Sequence, residues 1–124
     1  MSEQNKQLVT DYLETVWNQG KVEEAKRFVA ENLIQHNPNL PDGLEPLVGF
    51  LGGFKTQVPD GKFAIARTAA EGDLVFVHSH FTAAPGHAGM AVVDVFRIED
   101  GLIAEHWDLS TDVPETTASG HPIV

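Results

Sequence analysis

Four segments in the second half of the chain alternate in the manner of β-strands, and they constrain the fold more than any other feature. They span residues 63–70, 74–82, 89–98 and 102–109, and turn residues separate them. Short strands joined by tight turns pair as an antiparallel meander. Helical patterns precede them, and helices followed by a run of strands are typical of an α+β fold. We therefore expect N-terminal helices packed on a curved, mainly antiparallel sheet, with a cone-shaped pocket between the layers.

The first half of the chain predicts helices and one short strand. Ser2 is a suitable N-cap, and an apolar stripe at helical spacing follows it. Gly20 suits the left-handed position that ends a helix. The pattern predicts helices from Ser2 to about Gly20, over residues 21–30 and after Gly43, with a short strand at residues 33–37.

Length and composition exclude several classes of function. The 124 residues suit a single domain, residues 1–124, in which residues 110–124 form a C-terminal tail. Eighteen acidic and eight basic residues give a formal charge of −10, which argues against nucleic acid or an anionic membrane as partner. The absence of cysteine excludes disulfides, thiolate nucleophiles and cysteine zinc sites. No signal peptide or membrane-spanning run is visible, so a cytoplasmic protein is expected.

Strand alternation groups the polar residues that are candidates for chemistry. His78 and His80 share one face of the second predicted strand, and Asp94 shares a face of the third with Met90 and Phe96. An aspartate in such an apolar setting is expected to favour its neutral form, which prepares a carboxyl group for acid–base work. Asp94 is therefore a candidate general acid or base, and His78 and His80 are candidates to share its pocket.

The last hairpin decides which residues face Asp94, and two registers are compatible with the sequence. A two-residue turn at Asp100-Gly101 would place Trp107 opposite Asp94. A three-residue loop that includes Glu99 would place His106 opposite Asp94 instead.

Packing favours the three-residue loop. It places Phe96 over Ala104, and it leaves Arg97 outside the pocket beside Glu105. In that register Asp108 lies on the same side as Asp94 and His106. Several ionisable groups on one apolar, concave surface are seldom assembled by core packing alone, so this convergence indicates a functional pocket.

Three segments resemble the SnoaL-like polyketide cyclases of the NTF2-like superfamily. They are Leu-Ile-Gln-His-Asn-Pro at residues 33–38, Val-Asp-Val-Phe-Arg-Ile-Glu-Asp-Gly at residues 93–101 and Glu-His-Trp-Asp at residues 105–108. The resemblance implies the cone-shaped α+β barrel and a homodimer formed through the outer face of the sheet. It also implies an aldol-type condensation, with Asp94 as acid–base group, His80 as its partner, Asn37 as polar orienter and no cofactor.

The remaining candidates are expected to contact a small-molecule substrate. They are His36, His78, His106, Asp108, Tyr12, Phe50, Phe54, Met90 and Phe96. Two other interpretations stay open. One is a metal-dependent enzyme that uses His78, His80 and His106 with a carboxylate, and the other is a module that binds a small molecule without turning it over.

Overall fold

The computed structural model describes residues 2–124 and combines helices with one five-stranded sheet. The helices are α1 (Ser2–Tyr12), a π-helical segment (Leu13–Asn18), a 3₁₀ helix (Val22–Arg27) and α2 (Leu44–Gln57). The strands are β1 (Val29–Gln35), β2 (Lys62–Glu71), β3 (Leu74–Thr82), β4 (Met90–Glu99) and β5 (Leu102–Asp112). Their order is β1-β5-β4-β3-β2, with β1 parallel to β5 and the other pairs antiparallel. The predicted α+β fold is confirmed.

The first helix begins at Ser2 as predicted and then widens. Its last part is π-helical, with the Gln19 N–H bonded to the Glu14 carbonyl at 2.9 Å. Such π turns are uncommon and frequently occur at functional sites. Here the wide turn carries Leu13 and Trp17, both of which line the cavity described below. The chain reverses at Gly20, whose φ of +74° confirms its predicted left-handed role.

The predicted helix over residues 21–30 is wrong in type and length. A 3₁₀ helix replaces it, and β1 starts at Val29 rather than at residue 33. Val22, Ala25 and Phe28 recur every three residues, which matches the eclipsed i, i+3 positions of a 3₁₀ helix. The burial of Ala25 and Phe28 favours this tighter winding.

The β4–β5 hairpin has neither of the predicted registers. Asp100 and Gly101 form a two-residue turn, with φ values of +53° and +78°, as a type I′ turn requires. A β-bulge at Ala104 then shifts β5 by one residue, because Arg97 pairs with Glu105 while Ile98 pairs with Ile103.

The shifted register places Asp108 directly opposite Asp94, and His106 opposite Phe96. The predictions that Trp107 or His106 faces Asp94 directly, and that Phe96 lies over Ala104, are therefore wrong. The prediction that His106 and Asp108 lie on the same face of the sheet as Asp94 is correct, since all three line the cavity.

The core lies between the helices and the inner face of the sheet. Val9, Val16, Leu51, Val75 and Val77 are fully buried there. At about 25 cal/mol per Å² of buried apolar surface, such contacts are the main source of stability for a chain of this size. None of the helices within residues 2–124 is long and apolar enough to cross a membrane.

Candidate active site

A cavity of about 240 Å³ opens between the helices and the inner face of the sheet. Trp17, Phe54 and Phe63 form one wall, with ring centroids 5.4 and 5.7 Å from Trp17. Apolar side chains line most of the remaining surface, and the polar groups gather at one end, near β1, β4 and β5. A mainly apolar cavity with a few convergent polar groups is the usual form of a small-molecule site.

Asp94 is the buried carboxyl group of this site. Its fractional exposure is 5%, and its neighbours along the inner face of β4 are Val92 and Phe96. Burial raises the pKa of Asp94 above its ordinary value. A hydrogen bond and a charge interaction with His106 offset part of that increase, while the nearby charge of Asp108 adds to it. The carboxyl group is thus prepared to hold a proton at a pH where an exposed aspartate would lose it.

His106 connects Asp94 to the amide of Gln35. Its Nε2 atom lies 2.8 Å from Asp94 Oδ1, and its Nδ1 atom lies 2.8 Å from Gln35 Oε1. The backbone N–H of Asn37 also donates to Gln35 Oε1, at 3.1 Å. Because a backbone N–H only donates, the oxygen of the Gln35 amide must face it. His106 Nδ1 faces the same oxygen and therefore carries a proton.

The fixed proton on Nδ1 determines what lies between His106 and Asp94. A nitrogen and an oxygen 2.8 Å apart need one proton between them, since two lone pairs would repel. That proton belongs either to Asp94, beside a neutral imidazole, or to Nε2, beside a carboxylate. The pair is electrically neutral in both forms, and the raised pKa of Asp94 favours the first.

Asp108 forms a second polar centre next to this pair. Both of its oxygens accept hydrogen bonds from Asn37 Nδ2, at 3.1 and 3.0 Å. The backbone N–H of Asn39 donates to Asn37 Oδ1 at 2.8 Å, which fixes the orientation of that amide. His106 Nε2 is 3.9 Å from Asp108 Oδ2. Asn37, the predicted polar orienting residue, therefore binds Asp108.

The structure brings together most of the residues that the sequence predicts. Asp94, Asn37, His106 and Asp108 line the cavity, and so do the apolar candidates Tyr12, Phe50, Phe54, Met90 and Phe96. Burial raises the pKa of Tyr12.

The prediction that His80 shares the cavity with Asp94 is wrong. Asp94 pairs with Val77 across β3 and β4, so Val77 and its alternate neighbours face inward. His78 and His80 consequently lie on the outer face. His80 Nε2 contacts the Ala88 carbonyl at 2.6 Å, and His78 contacts Arg67.

His36 also lies outside the cavity, contrary to the prediction. Its ring stacks on Trp107 with centroids 4.7 Å apart, and its Nε2 atom lies 2.7 Å from Glu105 Oε2. Hydrogen bonds from His36 and Arg97 lower the pKa of Glu105. Side-chain alternation along the extended chain explains this placement. His36 directly follows Gln35, and because Gln35 points inward to His106, His36 points outward.

The alternative metal site of His78, His80 and His106 is not assembled, because the first two lie on the other side of the sheet. A different set has the donor types of a cation site. One ligand atom each from Asp94, His106 and Asp108 lies within 4.8 Å of the others. Nitrogen and carboxylate donors suit divalent transition metals.

Gln35 and Trp17 line the cavity but were not among the site residues predicted from the sequence. Gln35 follows Leu33 by two positions, and both line the cavity. The strand predicted over residues 33–37 already places Leu33 and Gln35 on one face by alternation, and that pattern is the signal that could have identified Gln35. Trp17 has no comparable signal, because it reaches the cavity through the π-helical turn.

The family assignment follows from the sequence as a whole. The family model described as a SnoaL-like domain matches residues 9–106. The chain belongs to this family. The matched region of this SnoaL-like protein includes Gln35, Asp94 and His106. No functionally curated protein sequence matches the chain significantly.

Solved structures share the fold of this SnoaL-like chain. A SnoaL-like protein of unknown function from Burkholderia thailandensis is 16% identical with a TM-score of 0.75, over 90% of this chain and 98% of that one. IdmH from Streptomyces antibioticus, a proposed polyketide cyclase, is 20% identical with a TM-score of 0.71, over 86% of this chain and 91% of that one. A proposed polyketide cyclase from Bacillus cereus is 27% identical with a TM-score of 0.69, over 82% of this chain and 70% of that one.

Proposed function

We propose that this SnoaL-like protein is an acid–base enzyme for a small, mainly apolar carbonyl compound, and that its reaction is an aldol-type condensation or cleavage without a cofactor. Asp94 and His106 are the proton-transfer pair. The 2.8 Å contact between Asp94 Oδ1 and His106 Nε2 inside an apolar cavity supports the proposal most directly. His106 takes the place that the sequence suggested for His80.

The proposed reaction uses the proton shared by the pair. Movement of this proton onto His106 Nε2 leaves Asp94 as a carboxylate, which removes a proton from the carbon next to the substrate carbonyl. The enolate carbon then forms a bond to a second carbonyl carbon of the same substrate. The resulting alkoxide takes a proton back from the pair, so the enzyme ends in its starting protonation state.

The supporting groups have distinct parts in this proposal. Gln35 Oε1 accepts a hydrogen bond from the Nδ1–H of His106, and this contact keeps Nε2 directed at Asp94. Asn37 holds Asp108 at the same end of the cavity. Apolar walls surround the polar groups, and an apolar environment strengthens hydrogen bonds to a developing oxyanion.

The experiment measures the exchange of α-protons for deuterium in a panel of small aryl and cyclic ketones. The protein and each ketone are incubated in D₂O, and NMR monitors the loss of the α-proton signal. Asp94→Asn keeps the shape of the side chain and removes the base. We expect it to slow exchange by about 10²–10⁴-fold, which is the usual contribution of a positioned base. Asp73→Asn, in an exposed turn, is the matched control and should exchange at the rate of the unchanged protein.

A second matched pair separates the two histidines. His106→Gln should slow exchange, whereas His80→Gln should not, because His80 lies on the outer face. Equal exchange by the Asp94→Asn variant and the unchanged protein would refute the proposal. Ketones that bind without exchanging a proton in any variant would favour the alternative of a binding module.

We also propose that the chain forms a homodimer through the outer face of the sheet. Large apolar side chains are exposed there, namely Ile34, Phe76, Val93 and Leu109. Leu109 is 80% exposed and lies directly opposite Val93. Several large apolar side chains exposed on one face are typical of an interface, and a self-complementary surface forms a two-fold dimer. A location in the cytoplasm remains a prediction from the sequence.

A further inference from the structure

The charges around the cavity are unbalanced. Its lining, within the part of the chain that the structure describes, contains Asp94, Asp108 and His106 but no lysine or arginine. The chain as a whole is acidic as well, with a formal charge of −10. An anionic ligand would therefore enter an acidic cavity without a cationic partner, and desolvation of its charge would be uncompensated.

Asp108 is the source of the imbalance. The Asp94–His106 pair is neutral in both of its forms, since it holds one shared proton. Asp108 accepts hydrogen bonds from the neutral amide of Asn37. His106 Nε2, at 3.9 Å, is already bonded to Asp94 and does not complete an ion pair. The side chain of Asp108 is 22% exposed, so its negative charge is only partly solvated.

We propose that the ligand of this cavity carries an ammonium group that binds Asp108, with an apolar body that fills the aromatic part of the cavity. A charge-assisted hydrogen bond from an ammonium group to a partly buried carboxylate is about twice as strong as a neutral one. Together with the proposed function, on which this inference rests, it makes the substrate class an amino-carbonyl compound.

The apolar lining favours an organic cation over a bare metal ion. A divalent ion between Asp94, His106 and Asp108 would displace the shared proton and balance the two carboxylates, but it would leave the apolar remainder of the cavity unfilled. An amine with an aromatic or alkyl body balances the charge and also buries apolar surface, at about 25 cal/mol per Å².

The test compares three probes of equal chain length, namely 4-phenylbutylamine, 4-phenylbutan-1-ol and 4-phenylbutanoic acid. Each is titrated at pH 7 into ¹⁵N-labelled protein, and backbone shifts at residues lining the cavity give the dissociation constant and the location. We expect the amine to bind at least about tenfold more tightly than the alcohol, and the acid to bind most weakly. Asp108→Asn keeps the bond to Asn37 and should abolish the advantage of the amine while leaving the alcohol unchanged.

Two controls make the result specific. Asp73→Asn removes one negative charge from an exposed turn outside the lining of the cavity, so the advantage of the amine should persist in that variant. A parallel titration with Zn²⁺ and Mg²⁺ tests the metal alternative. Binding of a divalent ion at cavity residues with higher affinity than the amine would overturn the proposal in favour of a metal site.

Other outcomes separate this inference from the proposed function. Equal binding of all three probes, failure of all three to bind, or an amine advantage that survives Asp108→Asn would overturn the inference. Proton exchange that depends on Asp94, measured without any preference for amines, would leave the proposed function intact while the inference fails. A preference for amines that depends on Asp108, without exchange of any ketone, would support the inference and reject the reaction.

Discussion

Asp94 and Asp108 lie directly opposite each other on β4 and β5, and both face the same mainly apolar cavity. Like charges at opposed strand positions destabilise a sheet. The cost is reduced because Asp94 shares a proton with His106, while Asp108 accepts two hydrogen bonds from Asn37. An arrangement that is unfavourable for folding alone is typical of a functional site.

The raised pKa of Asp94 predicts a pH-dependent effect on stability. The folded state holds the Asp94 proton more tightly than the unfolded state does, where the pKa is about 3.9. The contribution of this proton to the free energy of unfolding is therefore complete below that pH and is lost as pH rises through the folded-state pKa. The Asp94→Asn variant lacks this titration, so its stability relative to the unchanged protein should increase with pH above about 4.

Urea unfolding at a series of pH values measures this difference. The Asp73→Asn control should follow the unchanged protein, because Asp73 is exposed. Parallel stability curves for Asp94→Asn and the unchanged protein would contradict the raised pKa.

The hydrogen bond from His106 to Gln35 predicts a defined tautomer. In the unchanged protein, ¹⁵N NMR should show a proton on Nδ1 of His106, because Gln35 Oε1 can only accept. Gln35→Leu removes the acceptor for His106 Nδ1 and for the Asn37 N–H. We expect a mixture of tautomers and a loss of about 1–3 kcal/mol of stability from the unsatisfied donors.

Gln35→Glu is the control for this prediction, since it keeps an acceptor oxygen at the same position. The Nδ1 proton should be retained in that variant. A proton on Nε2 alone in the unchanged protein would contradict the assignment.

The loop between β3 and β4 predicts different costs for two glycine substitutions. Gly86 has a φ of +86° and no atom near the position of an added Cβ, so Gly86→Ala should cost about 1–2 kcal/mol for backbone strain. Gly89 has a φ of +75°, and an added Cβ would lie 2.0 Å from the Phe81 carbonyl oxygen. Gly89→Ala should therefore be clearly more destabilising than Gly86→Ala in thermal unfolding. Equal effects would show that this close contact relaxes without cost.

The exposed apolar residues of the outer face predict how the proposed dimer can be broken. Leu109→Lys introduces a charge opposite Val93, where it would be buried without a partner in an interface. We expect the mass measured by sedimentation equilibrium to change from that of a dimer to that of a monomer. Gln57→Lys adds the same charge at the exposed end of α2 and should leave the dimer intact. A dimer that persists in Leu109→Lys would place the interface elsewhere.

Local patterns in the sequence were sufficient for much of the fold. The strand from Leu74 to Thr82 has the predicted limits, and the turns at Gly20 and Gly101 adopt the left-handed backbone that their residue types favour. Period-two alternation also placed Asp94, Met90 and Phe96 on one face, and all three line the cavity. These features depend on residues close together in the chain, so local sequence determines them.

The tertiary structure decided which face of each strand points inward and how neighbouring strands align. Both faces of β3 carry apolar residues, and the buried face contains Ser79 while the outer face contains Phe76. Alternation therefore places His80 and Val77 on opposite faces of β3, but it does not show which of these faces is shared with Asp94. Packing against the helices settles that choice, and the bulge at Ala104 sets Asp108 opposite Asp94. Both outcomes depend on contacts between segments distant in sequence, which is why the chain alone placed Asp94 correctly at the cavity but placed His80 there wrongly.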